Sequence, residues 1–359
     1  MVTSRDVIRQ YRDARRRSFI LFIVAALIVV AVSVYSLSIS RIDLSMAQVL
    51  GIIWDDITGD VPDRIDDYAA WWTHQVVVND NVPRTIAGIC VGAILSTCGA
   101  AMQSITRNPL TDPYTIGISS AALLGVTVAV VCQVSVVPFV GGDAAMMVNA
   151  FLFSLIPSVV IVLISSFKRT GSTMMILVGI ALMYVFNAIT TFIKFNADDE
   201  DVAEIYEWSL GTLAGVEWSG VVFLIAAAVC ILVVMMLMAD RINVVCTGDN
   251  PSMALGEDPV RVKVACFILM SMATAVAVCY TGTIGFVGLV GPHLARLFVG
   301  NDNRLLIPLS FILGAMMVVG SDCIVRMLPA VLPVGVVTAL IGSPVFLYFL
   351  YRMRKGRCW

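Results

Sequence analysis

Residues 218–239 read WSGVVFLIAAAVCILVVMMLMA, an apolar stretch without a single charged side chain. A helix of this length measures roughly 33 Å, which is enough to cross the ~30 Å hydrocarbon core of a bilayer. Similar stretches lie on both sides of it, at residues 19–39, 85–105, 115–137, 146–166, 174–195, 262–281, 305–327 and 331–352. A shorter one, at 284–299, is interrupted by Gly291-Pro292. The pattern predicts an all-α polytopic membrane protein.

The composition supports this prediction and excludes several classes of function. Apolar residues make up 59% of the 359 residues and charged residues only 13%, whereas a typical soluble domain has about 25% charged residues. Membrane lipid must therefore surround much of the surface. The net charge of −2 gives no indication of nucleic-acid binding. The nine cysteines include no CxxC pair, and the two histidines are far apart. We therefore expect neither a metal site nor a cofactor.

The distribution of charge predicts the topology. Both termini are basic, with RQYRDARRR at residues 9–17 and RMRKGR at 352–357. The positive-inside rule places both ends in the cytoplasm, which requires an even number of spans. Ten transmembrane helices satisfy this requirement and nine do not. We expect one transmembrane domain over residues 1–359, with a cytoplasmic basic N-terminus at 1–18, an extracytoplasmic acidic loop at 40–82 and a cytoplasmic loop at 240–261.

Polar side chains lie inside two of the predicted spans. In the fifth span, steps of three, four and three residues place four of them on one helical face: Tyr184, Asn187, Thr191 and Lys194. Because polar groups in hydrocarbon are costly, this face is either a polar seam between packed helices or the wall of a solute path. In the ninth span, Asp322 and Arg326 are four residues apart and can form a structural ion pair.

Small residues follow one another at four-residue steps in the second span. Gly88, Gly92, Ser96 and Ala100 form this ladder. Side chains of this size let another helix approach closely. We expect the ladder to serve tight helix packing.

The cytoplasmic loop at 240–261 is the longest inner loop between spans. Asn250-Pro251 can open a short helix with Pro251 at its first position, and Gly256 stands just beyond its end. Such a helix at the membrane surface either receives a cytosolic partner or is only a connector. The chain has no GxxxxGK[ST] motif, so we expect no ATPase site of its own. A permease driven by a partner ATPase and an ion-coupled secondary transporter both remain open at this point.

Several long strings resemble one family of transport proteins. They are RNPLTDPYTIGISS at 107–120, GTIGFVGLVGPHLARLFVG at 282–300 and LPVGVVTALIGSPVFLYFL at 332–350, with weaker matches between them from about residue 82 to 351. This sequence is similar to the FecCD family, the permease subunits of ABC importers for iron–siderophore complexes, haem and vitamin B12. The resemblance implies a type II ABC importer permease fold with ten helices, in which a second copy or a related permease completes a central path.

The resemblance also implies partners and functional segments. Cytosolic ABC ATPase subunits would drive transport, and an extracytoplasmic substrate-binding protein would deliver the ligand. Ala254, Leu255 and Gly256 match the segment that couples the family's permeases to the ATPase. The polar face of the fifth span matches a path-lining helix. The implied substrate is an iron–siderophore or similar metal chelate, with haem, cobalamin and molybdate as alternatives.

One departure from the family concerns docking of the binding protein. The family commonly opens its second helix with two basic residues that flank Leu-Pro, and one of these often contacts the binding protein. Here the string is Asn81-Val82-Pro83-Arg84, so only Arg84 is basic. We expect Arg84, together with Arg41 or Arg64, to serve this docking.

Overall fold

Helices dominate the computed structural model, which describes residues 4–39, 44–59, 61–65, 67–167, 171–329 and 332–354. The α-helices are α1 (Ser4–Ser38), α2 (Met46–Thr58), α3 (Tyr68–Gln75), α4 (Val82–Thr106), α5 (Ile118–Val131), α6 (Gly142–Ser154), α7 (Ile156–Phe167), α8 (Ser172–Lys194), α9 (Asp199–Ser209), α10 (Trp218–Cys246), α11 (Asp249–Ala254), α12 (Pro259–Thr281), α13 (Val287–Val299), α14 (Asn303–Met327) and α15 (Val334–Arg354). A π-helical turn, Val76–Asn81, joins α3 to α4, and a 3₁₀ turn, Pro113–Ile116, precedes α5.

The membrane-spanning helices match the prediction from the sequence. Among the described residues, 8 helical segments are long and apolar enough to cross a bilayer. Two shorter apolar helices, α5 and α13, bring the total to ten. The all-α polytopic fold is thereby confirmed. One span, Gly142–Ser165, consists of α6 and α7. It is divided next to Pro157, which has no N–H to offer to a continuous helix.

The predicted extracytoplasmic loop at 40–82 contains more regular structure than a loop. Ser45 and Gln48 form a reciprocal capping box that starts α2, and Gly59 ends the helix in a left-handed conformation. Near the next span, Pro83 cannot donate to the carbonyl four residues before it, and the chain forms the π-helical turn at this point. The helical stretch Tyr68–Thr106 is therefore 39 residues long, roughly 58 Å, and exceeds the ~30 Å hydrocarbon core.

Helix α4 lies at the centre of the bundle and packs against α10, α12, α13 and α14. Its small residues permit backbone contact with two neighbours. A Cβ at Gly92 would overlap the carbonyl oxygen of Gly314 on α14, and a Cβ at Gly99 would overlap that of Gly288 on α13. Gly88, in contrast, faces side chains, and the nearest atom is a methyl of Leu213 at 3.1 Å. The predicted role of the ladder in tight packing is confirmed at Gly92.

Candidate functional site

The polar face of α8 is open on this chain. Tyr184, Asn187 and Thr191 are exposed, and Lys194 is half-buried. The opposite face carries the packing: Gly179 approaches the backbone of the 3₁₀ turn so closely that a Cβ would lie 2.5 Å from the Cα of Ile116. The Thr191 hydroxyl donates to the carbonyl of Asn187 at 2.8 Å, which satisfies it within the helix. The structure brings the four predicted residues together on an uncovered helical face, and their role in a solute path stays a prediction.

Asp322 is the centre of a buried ion cluster between the start of α4 and the end of α14. Its side chain is 1% exposed, and its two oxygens each accept from an arginine at 2.6 Å, one from Arg326 and the other from Arg84. The Asp322–Arg326 contact has the geometry that the four-residue spacing indicated. The contact with Arg84 was missed, because 238 residues separate the two positions and no local pattern connects them.

Arg326 also ties the end of α1 into the bundle. Its Nη1 donates to the carbonyl of Ser36 at 3.1 Å, to that of Ile39 at 3.4 Å and to Oδ1 of Asn81 at 3.2 Å. The last carbonyls of a helix have no partner within the helix itself. Arg326 therefore caps α1 while it neutralises Asp322. The cluster is consistent with a structural role.

The three arginines proposed for docking lie in different environments. Arg84 has only 21% of its side chain exposed and binds Asp322, so its charge is already engaged. Arg64 is exposed in the segment between α2 and α3, and its guanidinium carbon lies 5.1 Å from the ring centre of Trp71, a cation–π contact. Arg41 lies outside the described residues. The geometry favours a structural role for Arg84, and docking through any of the three stays a prediction.

The predicted coupling segment forms a short helix with a defined end. In α11 the N–H of Gly256 donates to Met253 O at 3.1 Å and that of Glu257 donates to Ser252 O at 3.0 Å, which is a Schellman motif. Gly256 has φ = 87°, so the left-handed backbone expected at this glycine is confirmed. Ala254 and Leu255 project into open space, with 66% of Leu255 exposed. The contact of this segment with an ATPase stays a prediction.

The start of α11 differs from the prediction. The helix begins at Asp249, so Pro251 occupies its third position rather than its first. The reason is Gly248, whose φ of 122° provides the sharp entry into the helix. Pro251 is tolerated there because the N–H groups of a first helical turn have no partner within the helix. The same helix contacts Lys263 of α12, a fully buried cation that the sequence did not single out.

Gly256→Val is expected to weaken the coupling between ATP hydrolysis and transport, although residue 256 lies outside the proposed solute path. Nothing lies within 4 Å of a Cβ at this position, so the effect would come from backbone strain alone. A β-branched residue tolerates a left-handed backbone poorly, at a cost of roughly 1–2 kcal/mol. We expect lower ATP-dependent uptake by the Val variant, with near-normal uptake by Gly256→Asn, since asparagine accepts this conformation. Uptake at the parent rate by both variants would show that the left-handed turn at residue 256 is not needed for coupling.

Comparison with known proteins relates these features to a family. Residues 26–352 match the FecCD transport family. The chain is 36% identical over 280 residues to the cobalamin import system permease protein BtuC of Halobacterium salinarum, covering 77% of this chain and 74% of that one. It is 36% identical over 290 residues to the iron(3+)-hydroxamate import system permease protein FhuB of Bacillus subtilis, covering 79% and 73%.

A solved structure agrees in fold with the chain. It is described as an inward-facing conformation of a metal-chelate type ABC transporter, and it superposes with a TM-score of 0.79 at 28% identity, covering 92% of this chain and 99% of that one. The matched range includes every transmembrane helix described above except the first turns of α1. This chain belongs to the FecCD transport family, the permeases of ABC importers.

Proposed function

We propose that this permease forms the path for import of a ferric siderophore or a similar metal chelate, with ATP hydrolysed by partner subunits. The observation that carries the proposal is the uncovered polar face of α8. An asparagine and a lysine facing lipid would be costly, whereas a water-filled path between two permeases would accommodate them. The proposal therefore includes a second copy or a related permease that faces α8 across the path.

We also propose one partner for each end of the bundle. Cytosolic ABC ATPase subunits would bind the exposed Ala254 and Leu255, and a substrate-binding protein would dock on the extracytoplasmic side. The basic terminal segments support a cell-membrane protein with both ends in the cytoplasm. ATP hydrolysis by a separate subunit is in keeping with the absence of a GxxxxGK[ST] motif from the sequence.

The substrate class is proposed from the relatives of this chain. The relatives reported above are named for cobalamin and for iron(3+)-hydroxamate, and haem and molybdate are further alternatives. A direct test is to purify the binding protein that associates with this permease and to identify its ligand by mass spectrometry. A bound ferric siderophore supports the proposal, whereas a corrinoid, haem or oxyanion would replace it.

A bulky apolar residue on the polar face is expected to slow transport. In Asn187→Phe the ring would narrow the path and remove a polar wall, so we expect uptake to fall at least about tenfold, a change of roughly 1.4 kcal/mol in the transport barrier. The matched control is Val185→Phe, because Val185 is also exposed on α8 but lies roughly 160° away around the helix.

Two assays are applied to both variants. Uptake of labelled ferric hydroxamate into proteoliposomes measures transport, and co-purification of the ATPase measures assembly. Normal assembly with slow uptake by Asn187→Phe alone is the expected result. Equal uptake by the two variants would show that the polar face of α8 is a packing seam and not the wall of the path.

A further inference from the structure

Lys263, near the start of α12, is completely buried. Its side chain is 1% exposed, although its neighbours Val260 and Arg261 in the same turn are half-buried or exposed. The buried ammonium donates to Oδ1 of Asp249, the first residue of α11, at 2.8 Å. A buried charge requires a partner of opposite sign. Asp249 supplies it from the opposite side of the connection between α11 and α12.

Asp249 has a second cationic neighbour on another helix. The same Oδ1 lies 3.4 Å from Nη2 of Arg107, which ends α4 in a left-handed conformation with φ = 52°. The entry into α11 is close-packed around this arginine, since a Cβ at Gly248 would lie 3.3 Å from its Nη1. One carboxylate therefore connects the short helix strongly to α12 through the buried Lys263, and more weakly to the central helix α4, because the Arg107 side chain is 46% exposed.

We propose that Asp249 is a positioning residue for transport, which fixes α11 to the buried Lys263 of α12, with Arg107 as a second and weaker contact, so that these helix ends move as one unit. The inference rests on the proposed function, in which an ATPase binds α11. A six-residue helix that begins and ends at the glycine turns Gly248 and Gly256 would otherwise yield locally when its partner moves. Displacement of α11 away from α12 would leave the Lys263 ammonium buried without its counter-ion, and the structure resists this separation.

Other ion pairs of this region do not have the same character. Glu257 and Arg241 lie 3.6 Å apart, with 32% and 63% of their side chains exposed. Asp258 and Arg261 lie 3.3 Å apart and are also exposed. Exposed pairs are screened by water and salt and hold their helices weakly. Asp249 differs from these acidic residues because its partner, Lys263, is fully buried.

The test uses Asp249→Asn in the complex of this permease with its ATPase, reconstituted in lipid nanodiscs. Asparagine keeps an oxygen that can accept from Lys263 but removes the negative charge, so the fold should persist. We expect stimulation of ATP hydrolysis by the ligand-loaded binding protein to fall roughly 3- to 30-fold, the range typical of disrupted coupling. Asp249→Glu should restore most of it, and the matched control Glu257→Gln, an acidic residue of the same segment, should leave it unchanged.

A second measurement separates positioning from simple support of the fold. If Asp249 acts through Lys263, then Lys263→Met should lower the stimulation as Asp249→Asn does, and the double variant should be no worse than either single variant. Spin labels are placed at Leu110 and at Met253 of α11, both exposed. In the parent the distance between the labels should stay narrow with and without ADP–vanadate, and in Asp249→Asn its distribution should broaden. Parent-like stimulation and distances in Asp249→Asn would overturn the positioning role. Failure of the parent to bind any ATPase would instead refute the proposed function.

Discussion

Gly314→Ala is expected to prevent the permease from reaching its normal folded state. A Cβ at this position would overlap both the carbonyl oxygen of Gly92 and the Cβ of Ser96 on the facing helix. Overpacking usually costs about 1–3 kcal/mol when side chains can move aside. Here one of the opposing atoms belongs to the helix backbone, so α4 and α14 would have to separate. We therefore expect Gly314→Ala to lower the free energy of unfolding by about 3 kcal/mol or more.

The same helix provides the matched control. Gly320 also lies on α14, but nothing lies within 4 Å of a Cβ added there. Gly320→Ala should therefore be neutral or stabilising, because alanine is favoured over glycine in a helix by about 1 kcal/mol. Expression yield and Tm of the purified variants in detergent measure the difference. Comparable Tm values for the two alanine variants would show that the α4–α14 contact is looser than the structure indicates.

Asp322→Ala is expected to destabilise severely the part of the bundle where the start of α4 packs against the end of α14. Removal of this carboxylate leaves Arg326, with only 7% of its side chain exposed, without its counter-ion, and also releases Arg84. Breaking a buried pair by deleting one partner costs about 3–5 kcal/mol. Because Arg326 also caps α1, the first span should loosen with it. Thermal unfolding followed by loss of the monodisperse peak in size-exclusion chromatography measures this effect.

A surface pair of the same chemistry is the control for this cluster. Asp240 of α10 binds Arg304 at the start of α14, and both side chains are largely exposed, at 65% and 62%. Exposed pairs contribute little to stability, so Asp240→Ala should leave Tm unchanged. Asp322→Asn should fall between the two alanine variants, since its amide oxygen can still accept one hydrogen bond. An Asp322→Ala protein as stable as Asp240→Ala would contradict the structural role of the cluster.

The sequence predicts the spans well because hydropathy is a local property. A stretch such as 218–239 has to lie in lipid whatever it packs against, and the structure has α10 there. Two other features are local as well. The Asp322–Arg326 contact depends on helical spacing, and the left-handed conformation of Gly256 depends on a single backbone angle. Such features are determined by residues a few positions apart.

Long-range contacts could not be predicted in this way. Asp322 and Arg84 are 238 residues apart, and only the packing of α4 against α14 brings them together. No local pattern indicates Lys263, because its burial and its contact with Asp249 depend on the position of α11. Helices α2 and α3 were missed for another reason. The acidic residues of this segment indicated a loop, whereas Ser45 and Gln48 form a capping box that starts α2.

Uptake by the reconstituted permease tests directly whether this chain is the permease of an ATP-driven importer. Proteoliposomes that contain this chain, its partner ATPase and the external binding protein would be supplied with labelled ferric hydroxamate. We predict uptake that requires internal ATP and persists when the proton gradient is collapsed, and no ATP hydrolysis by the permease alone. Uptake driven by a proton gradient in the absence of ATP would contradict the account and indicate an ion-coupled secondary transporter.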